Sequence, residues 1–312
     1  MELDVVTIGE AMVLFAAQQP GPLDTVETFS RTTAGAELNV AIGMARLGLR
    51  AGYISRLGSD SFGRYILGVL RREGVDHAHV DVDANHPTGF MLKSRSDDGS
   101  DPKIEYFRRS SAASQLGPAY NPKAYCAAAR HLHLTGIFVA VSPSTRELVF
   151  ELAADSRAQG RTVSFDPNLR PGLWRSQADM IECLNLLASH GDWILPGLEE
   201  GRLLTGRDSP PDIADFYLDR GARGVVVKLG RAGAYFASNS EKGVAPGVAV
   251  ERVVDTVGAG DGFAVGVVSA LLEGLALSAA AARGNAIGAR VVQFPGDCDG
   301  LPNRRELSAM LS

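Results

Sequence analysis

The sequence predicts an α/β protein, a mostly parallel sheet covered by helices on both faces, with a small antiparallel β lid. Two observations carry this. Short apolar strands alternate with amphipathic helices through most of the 312 residues, which is the rhythm of repeated strand and helix units. Two segments break the rhythm with alternating patterns, the second a pair of strands with no helix between them, so they stand outside the weave. At roughly 100–200 residues per domain, the length allows one large domain or two smaller ones.

Val5 to Ile8 reads as a first buried strand ended by Gly9, and Thr25 to Arg31 is the first irregular segment. Ala36 to Leu47 has helical spacing, with Leu38, Ile42 and Ala45 on one stripe. Ala51 to Ser55 is a second strand and Ser61 to Glu73 a second amphipathic helix. Thr88 to Lys93 and Lys103 to Arg109 then alternate on either side of the turn-rich run Ser96 to Pro102 and read as antiparallel strands of a flap. Period two along the second of these puts Ile104, Tyr106 and Arg108 on one face and Glu105, Phe107 and Arg109 on the other. The regular weave resumes with strand His131 to Leu134, helix Ser144 to Gln159, strand Thr162 to Asp166 and helix Gln177 to Ala188. Strands Trp193 to Leu195 and Val225 to Lys228 follow. This assigns residues 1–14, 35–86 and 115–312 to the main body and residues 15–34 and 87–114 to the lid.

Composition narrows the function. Thirty-one Lys and Arg against 36 Asp and Glu give a net charge of −5, without the concentrated basic face that a nucleic acid requires. The acidic start Met1-Glu2-Leu3-Asp4 is unlike an export signal, and apolar runs fall short of the ~20 residues of a membrane span. The expectation is a cytoplasmic protein with neither nucleic-acid nor membrane partners. Cys126, Cys183 and Cys298 are scattered and read as small apolar filler. His131 and His133 alternate on a strand and read as structural. Glycine is in excess, 35 residues where a usual share is ~7%.

The chemistry concentrates at Asp255-Thr256-Val257-Gly258-Ala259-Gly260-Asp261-Gly262-Phe263, ahead of the largely apolar run Ala264 to Leu272. Phe263, Val267 and Leu271 make that run a buried helix, so Gly258 to Asp261 form its first turn. Backbone N–H groups there lack partners and carry the positive end of the helix dipole, and small residues let an anion approach them. A carboxylate in such a place repels an anion unless it takes a proton from a hydroxyl that attacks a phosphoryl group held by the amides. The alternative is that Asp261 caps its own helix. The glycine spacing and its position late in the chain fit neither a P-loop nor a dinucleotide fingerprint.

Asp255 to Phe263 resembles the C-terminal signature of the ribokinase-like (PfkB) carbohydrate kinases, and Ala34-Gly35-Ala36-Glu37-Leu38-Asn39-Val40-Ala41 with Arg46-Leu47-Gly48 resembles their N-terminal one. The resemblance runs over essentially the whole chain. It implies a ribokinase-like fold and ATP with Mg²⁺ as cofactors. It also implies Asp261 as catalytic base and Gly258, Ala259 and Gly260 as the anion hole. Tyr106 to Ser114 and Asp166 to Trp174 resemble the members that phosphorylate a keto sugar acid, with Arg108 and Arg170 suited to a carboxylate. For either arginine alone a salt bridge is the competing reading. Gly35 and Asn39 resemble sugar contacts, although Asn39 also suits a backbone bridge at a helix start. Phe90 is expected as an apolar wall over the substrate, with lid packing as the alternative, and Tyr106 as a further contact. On the nucleotide side the resemblance implies Lys228, Gly230, Gly233, Gly260 and Asn285. A structural ion pair competes for Lys228 and a polar surface position for Asn285. Glu200 fits an acidic position that organises Mg²⁺ through water, although Gly197 stands where the accompanying Asn is expected. A monovalent-cation site at Asp255 and Thr256, and a homo-oligomer formed through the lid, complete what the resemblance implies. The same chemistry on a neutral sugar, and a non-catalytic sugar-binding regulator on this scaffold, stay open at this point.

Overall fold

The computed structural model describes residues 2–95 and 102–311. In chain order the strands and helices begin with β1 (Leu3–Ile8), β2 (Met12–Pro20), β3 (Phe29–Ala34), α1 (Ala36–Arg46), β4 (Ala51–Gly58), α2 (Ser61–Arg72) and β5 (Asp76–Asp83). Next come β6 (Phe90–Arg95), β7 (Ile104–Phe107), α3 (Lys123–Ala127), β8 (Ala129–Thr135), α4 (Pro143–Ala158), β9 (Thr162–Asp166), α5 (Gln177–Ala188) and β10 (Trp193–Ile194). The chain ends with α6 (Leu198–Thr205), α7 (Pro210–Leu218), β11 (Gly224–Lys228), β12 (Gly233–Ser238), β13 (Lys242–Pro246), α8 (Ala259–Leu272), α9 (Leu277–Val291) and α10 (Arg304–Leu311).

Nine strands form the main sheet in the order β13-β12-β11-β10-β9-β8-β1-β4-β5, parallel throughout except at the β11-β12-β13 edge. Alternate residues of β11 feed opposite cores, as a doubly covered strand must. Val226 joins Leu38 and Ile42 of α1, Ile66 of α2, Val267 of α8 and Ile287 of α9. Val225 and Val227 join Leu148 and Leu152 of α4, Leu184 of α5 and Ile213 of α7. Strand order reverses about β1, which lies between β4 and β8. A crevice opens beyond the carboxyl ends of the strands at such a reversal.

The second sheet, β3-β2-β6-β7, is the lid, and it corrects two expectations. It is mixed rather than antiparallel, because β2 and β6 run parallel. Between them the chain passes through α1, β4, α2 and β5 of the body, so no hairpin imposes opposite directions. Strand β2 starts at Met12, which places Met12, Val13 and Leu14 in the lid sheet instead of the body, and the strand expected at Thr25 to Arg31 is displaced to Phe29–Ala34. Apart from Pro102, the turn expected over Ser96 to Pro102 lies outside the described residues. His131 and His133 share Ser164 as a hydrogen-bond partner at 2.7 Å, and burial holds both imidazoles below their ordinary pKa. They are neutral structural groups. The three cysteines are free and buried, and among the described residues no helix is long and apolar enough to cross a membrane.

Candidate active site

Helix α8 opens at Gly258, whose φ of 83° is left-handed. A Cβ added there would meet the Asp297 carbonyl oxygen at 2.3 Å, so glycine alone fits. The amides that follow have no carbonyl one turn earlier within the helix to bond to. Asp261 lies in this first turn and is 8% exposed. Its Oδ2 accepts from Asn39 Nδ2 at 2.8 Å and its Oδ1 from Asn168 Nδ2 at 3.4 Å, so its side chain bonds across the crevice to α1 and to the segment after β9. Burial pushes this carboxyl up to about 6, against the Asn39 donor, while Asp166 and Asp297 push it up and Arg170 pulls it down. Asn39, 1% exposed, keeps Oδ1 without a protein partner, an acceptor for a hydroxyl beside the base. Gly35 precedes α1 with φ 141°, and a Cβ there would lie 2.7 Å from the Glu10 carbonyl oxygen.

The end of β9 faces the end of β11. Lys228 Nζ donates to both Asp166 oxygens, at 2.9 and 2.8 Å, so the ion pair weighed for Lys228 is formed. That pair does not take the ammonium away from the glycine turn, because Nζ also lies 3.8 Å from where a Gly260 Cβ would sit. Burial would lower the pKa of Lys228, but Asp166 and Glu200 outweigh it and hold it above the ordinary value. For Asp166 burial wins over Lys228, and its carboxyl is pushed up to about 6.

Glu200 has both oxygens engaged by backbone donors, Oε1 by Leu169 N–H at 2.8 Å and Oε2 by Gly197 N–H at 2.6 Å. It pins the start of α6 to the segment carrying Asn168 and Arg170. Among the described residues no group of three or more His, Cys, Asp or Glu side chains could hold a metal ion. The side chains therefore form no Mg²⁺ cage of their own. They fit only an ion that keeps its waters and rests on nucleotide phosphates.

On the substrate side the two arginines differ. Arg170 is exposed, with Nη1 on the Leu169 carbonyl at 2.9 Å, and its charge reaches Asp261. Arg108 turns inward, where Nε donates to Glu10 Oε2 at 2.7 Å and Nη2 also contacts that oxygen. Ser111 donates to the other Glu10 oxygen. The sequence alone gives Glu10 no part in the site; its one signal is a charge two residues after a buried strand. Tyr106 is 44% exposed and pairs with Met91 on the lid face that also carries Lys93. Phe90 departs from expectation. It stacks on Phe107 at 4.6 Å and packs with Phe15 and Phe62 on the opposite lid face, so lid packing accounts for it and the substrate wall does not.

Lys228, Gly230, Gly233, Gly260 and Asn285 line one cleft of about 1800 Å³ beneath the lid, with Val248, Val253 and Val254 along its rim. Asn285 is not a surface group, because its Nδ2 donates to the Ala245 and Pro246 carbonyls at 3.0 Å and holds β13 against α9. Asp255 Oδ1 accepts from Val257 N–H at 3.0 Å. Its other oxygen is taken by the ammonium of Lys93, from β6 of the lid, which also lies 3.3 Å from Asp297 Oδ1. A cation supplied by the chain thus occupies the carboxylate where a monovalent ion was expected.

An anion-binding turn and a proton acceptor side by side at the floor of a nucleotide-sized cleft have one shared use, moving a phosphoryl group onto a hydroxyl. The class is that of a phosphotransferase with an alcohol acceptor. The sequence pattern of the pfkB family carbohydrate kinases matches residues 2–304, and the chain belongs to that family. It is 51% identical over 314 residues to the 2-dehydro-3-deoxygluconokinase of Bacillus subtilis (strain 168), covering 100% of this chain and 96% of that one. The crystal structure of a PfkB protein from Polaromonas sp. JS666 superposes with a TM-score of 0.92 at 52% identity, over 98% of this chain and 99% of that one. A putative ribokinase II from E. coli in complex with ATP and Mg²⁺ gives 0.91 at 26% identity, over 99% of each chain. A fructokinase double mutant from Vibrio cholerae O395, in fructose, ADP and potassium ion bound form, gives 0.86 at 28% identity, over 100% of this chain and 99% of that one.

Proposed function

We propose that this protein is an ATP-dependent sugar-acid kinase that phosphorylates the 6-hydroxyl of 2-keto-3-deoxygluconate to give 2-keto-3-deoxy-6-phosphogluconate. The observation that carries the reading is the buried Asp261 carboxylate, held by Asn39 in the first turn of a helix whose glycine amides face the same crevice. The substrate lies between α1 and the lid, its carboxylate toward Arg170 and its hydroxyls toward Asn39 Oδ1. Asp261 takes the proton of the 6-hydroxyl as O6 bonds to the γ-phosphorus. The bond from that phosphorus to the bridging oxygen breaks, and its electron pair leaves on ADP. Amides of the Gly258 to Gly260 turn and the Lys228 ammonium face the phosphoryl oxygens, where fixed donors stabilise charge without reorganising. Glu200 is the residue that would hold Mg²⁺, through water, and the ion would supply charge neutralisation to the nucleotide phosphates. With its carboxyl at about 6, Asp261 is mostly ionised near neutral pH and ready to accept. The lid excludes water that would compete for the phosphoryl group.

A cytoplasmic location accords with ATP as donor. Pairing of two copies through the lid accords with exposed Tyr106 and Phe107 on its edge strand β7, and light scattering measures it. The function itself is tested by ATP consumption over a panel of 2-keto-3-deoxygluconate, gluconate, fructose and ribose. Turnover is expected with the keto-acid first. Turnover of neutral sugars without the keto-acid would overturn the substrate, and none on the whole panel would overturn the kinase reading.

A further inference from the structure

We infer that the lid lysine Lys93 is a built-in replacement for a monovalent cation, and that it makes assembly of the anion-hole loop depend on lid closure. The inference rests on the phosphotransferase reading of the site. Lys93 is 4% exposed and stands on β6, on the lid face it shares with Met91 and Tyr106. Its ammonium reaches two carboxylates that flank the glycine turn, Asp255 and Asp297, whose side chains are 8% and 5% exposed. Asp255 holds the turn through Val257 N–H, and the Asp297 backbone packs directly over Gly258.

Two buried carboxylates beside a phosphate site are a liability. Unneutralised, they repel the anion the turn is shaped to receive, and they lack the water that would otherwise solvate them. One positive charge is needed at that position. One relative, a fructokinase, is crystallised in a potassium ion bound form; here the positive charge at this position is carried on a four-carbon stem rooted in the lid. A free ion is present whether the lid is open or closed. Lys93 reaches the pair only when the lid lies on the body, so the loop gains its counter-charge on closure. Lys93 is accordingly a positioning residue, acting on the phosphate site through Asp255 and Asp297.

The test compares wild type with Lys93→Met, at constant ionic strength, in tetramethylammonium chloride and in KCl or NH₄Cl. Thermal melts give a readout independent of activity. Wild-type Tm is expected to be the same in all three salts, and that of Lys93→Met to rise in K⁺ or NH₄⁺ by about 2 °C or more, as an ion fills the vacated place. In the ATP assay with 2-keto-3-deoxygluconate, wild-type kcat should not change with the cation. Lys93→Met should lose about tenfold or more in tetramethylammonium and regain much of it in K⁺ or NH₄⁺. A wild type whose Tm and kcat climb with K⁺ overturns the inference, and this holds even where the variant fails to fold. A folded variant with a loss that no monovalent cation restores overturns it as well. Absence of turnover with every substrate counts against the kinase reading, and the melts still decide the cation question.

Discussion

Asn39 Nδ2 donates to Asp261 Oδ2 at 2.8 Å, joining residues 222 positions apart in the chain. The residue expected to greet the sugar is thus the one that holds the base. Burial pushes the Asp261 carboxyl up to about 6 and the Asn39 donor works against that push. The base acts only when ionised, so kcat should rise with pH through about 6. Asn39→Ala removes a donor to the charged form, and its acid limb should move to higher pH. Asp261→Asn should lower turnover by about 10²–10⁴-fold at every pH while leaving ATP affinity nearly unchanged. A pH–rate profile with nucleotide-binding titrations checks all three.

The two arginines should separate by stability as much as by activity. Arg170 is exposed and donates to its neighbour's carbonyl, so Arg170→Ala should leave Tm within about 2 °C. It should cut kcat/KM for the keto-acid on the order of 10–100-fold, the worth of a charge-assisted contact, and affect a neutral sugar much less. Arg108→Ala strands the buried Glu10 without its counter-charge, at about 3–5 kcal/mol. Glu10→Gln in the same chain should restore much of the Tm but not the kcat/KM. Steady-state kinetics beside thermal melts distinguish the two.

How legible the site was in the sequence depended on the range over which each residue acts. The turn at Gly258 was visible because small residues immediately precede an apolar helix, a local pattern with a local cause. Lys93, Asp297, Glu10 and Asn168 were not picked out for the site, because their meaning lies in partners far along the chain; Lys93 meets acids 162 and 204 positions away. Asn168 sits in a left-handed turn with φ 38° directly after Pro167, and that turn aims its amide at Asp261. Strand β5, Asp-His-Ala-His-Val-Asp-Val-Asp, was missed for a different reason. It is the sheet's edge and only partly buried, so it carries little of the apolar pattern by which the inner strands were found.

Two glycines in one turn should fail differently. At Gly258 an alanine meets both a left-handed φ of 83° and the Asp297 carbonyl at 2.3 Å. The backbone conformation alone costs about 1–3 kcal/mol, so Gly258→Ala should lower Tm and activity together. At Gly260 the nearest atom to a new methyl is Lys228 Nζ at 3.8 Å, which is ordinary contact. Gly260→Ala should therefore fold like wild type and lose about tenfold or more in kcat/KM for ATP, because the methyl stands where the phosphate approaches the amides. Equal losses of Tm in the two variants would contradict this reading of the turn.

Glu37 follows Gly35 in the turn that opens α1, and it makes a prediction about stability alone. It is fully buried, and burial pushes its carboxyl from 4.5 up to about 7, against a hydrogen bond from Thr135 and with the Asp261 charge adding to the push. Between those values the unfolded chain has released this proton and the folded chain keeps it. Stability therefore falls as pH rises from about 4.5 to 7, by about 3 kcal/mol from this group. Asp166 and Asp261, each pushed up to about 6, contribute in the same direction over a narrower window. Glu37→Gln is neutral at every pH and keeps the side chain's shape, so its stability should decline less steeply across that interval. Urea unfolding at pH 5, 6 and 7 measures the difference, and parallel pH curves for variant and wild type would show that Glu37 is ionised in the folded protein.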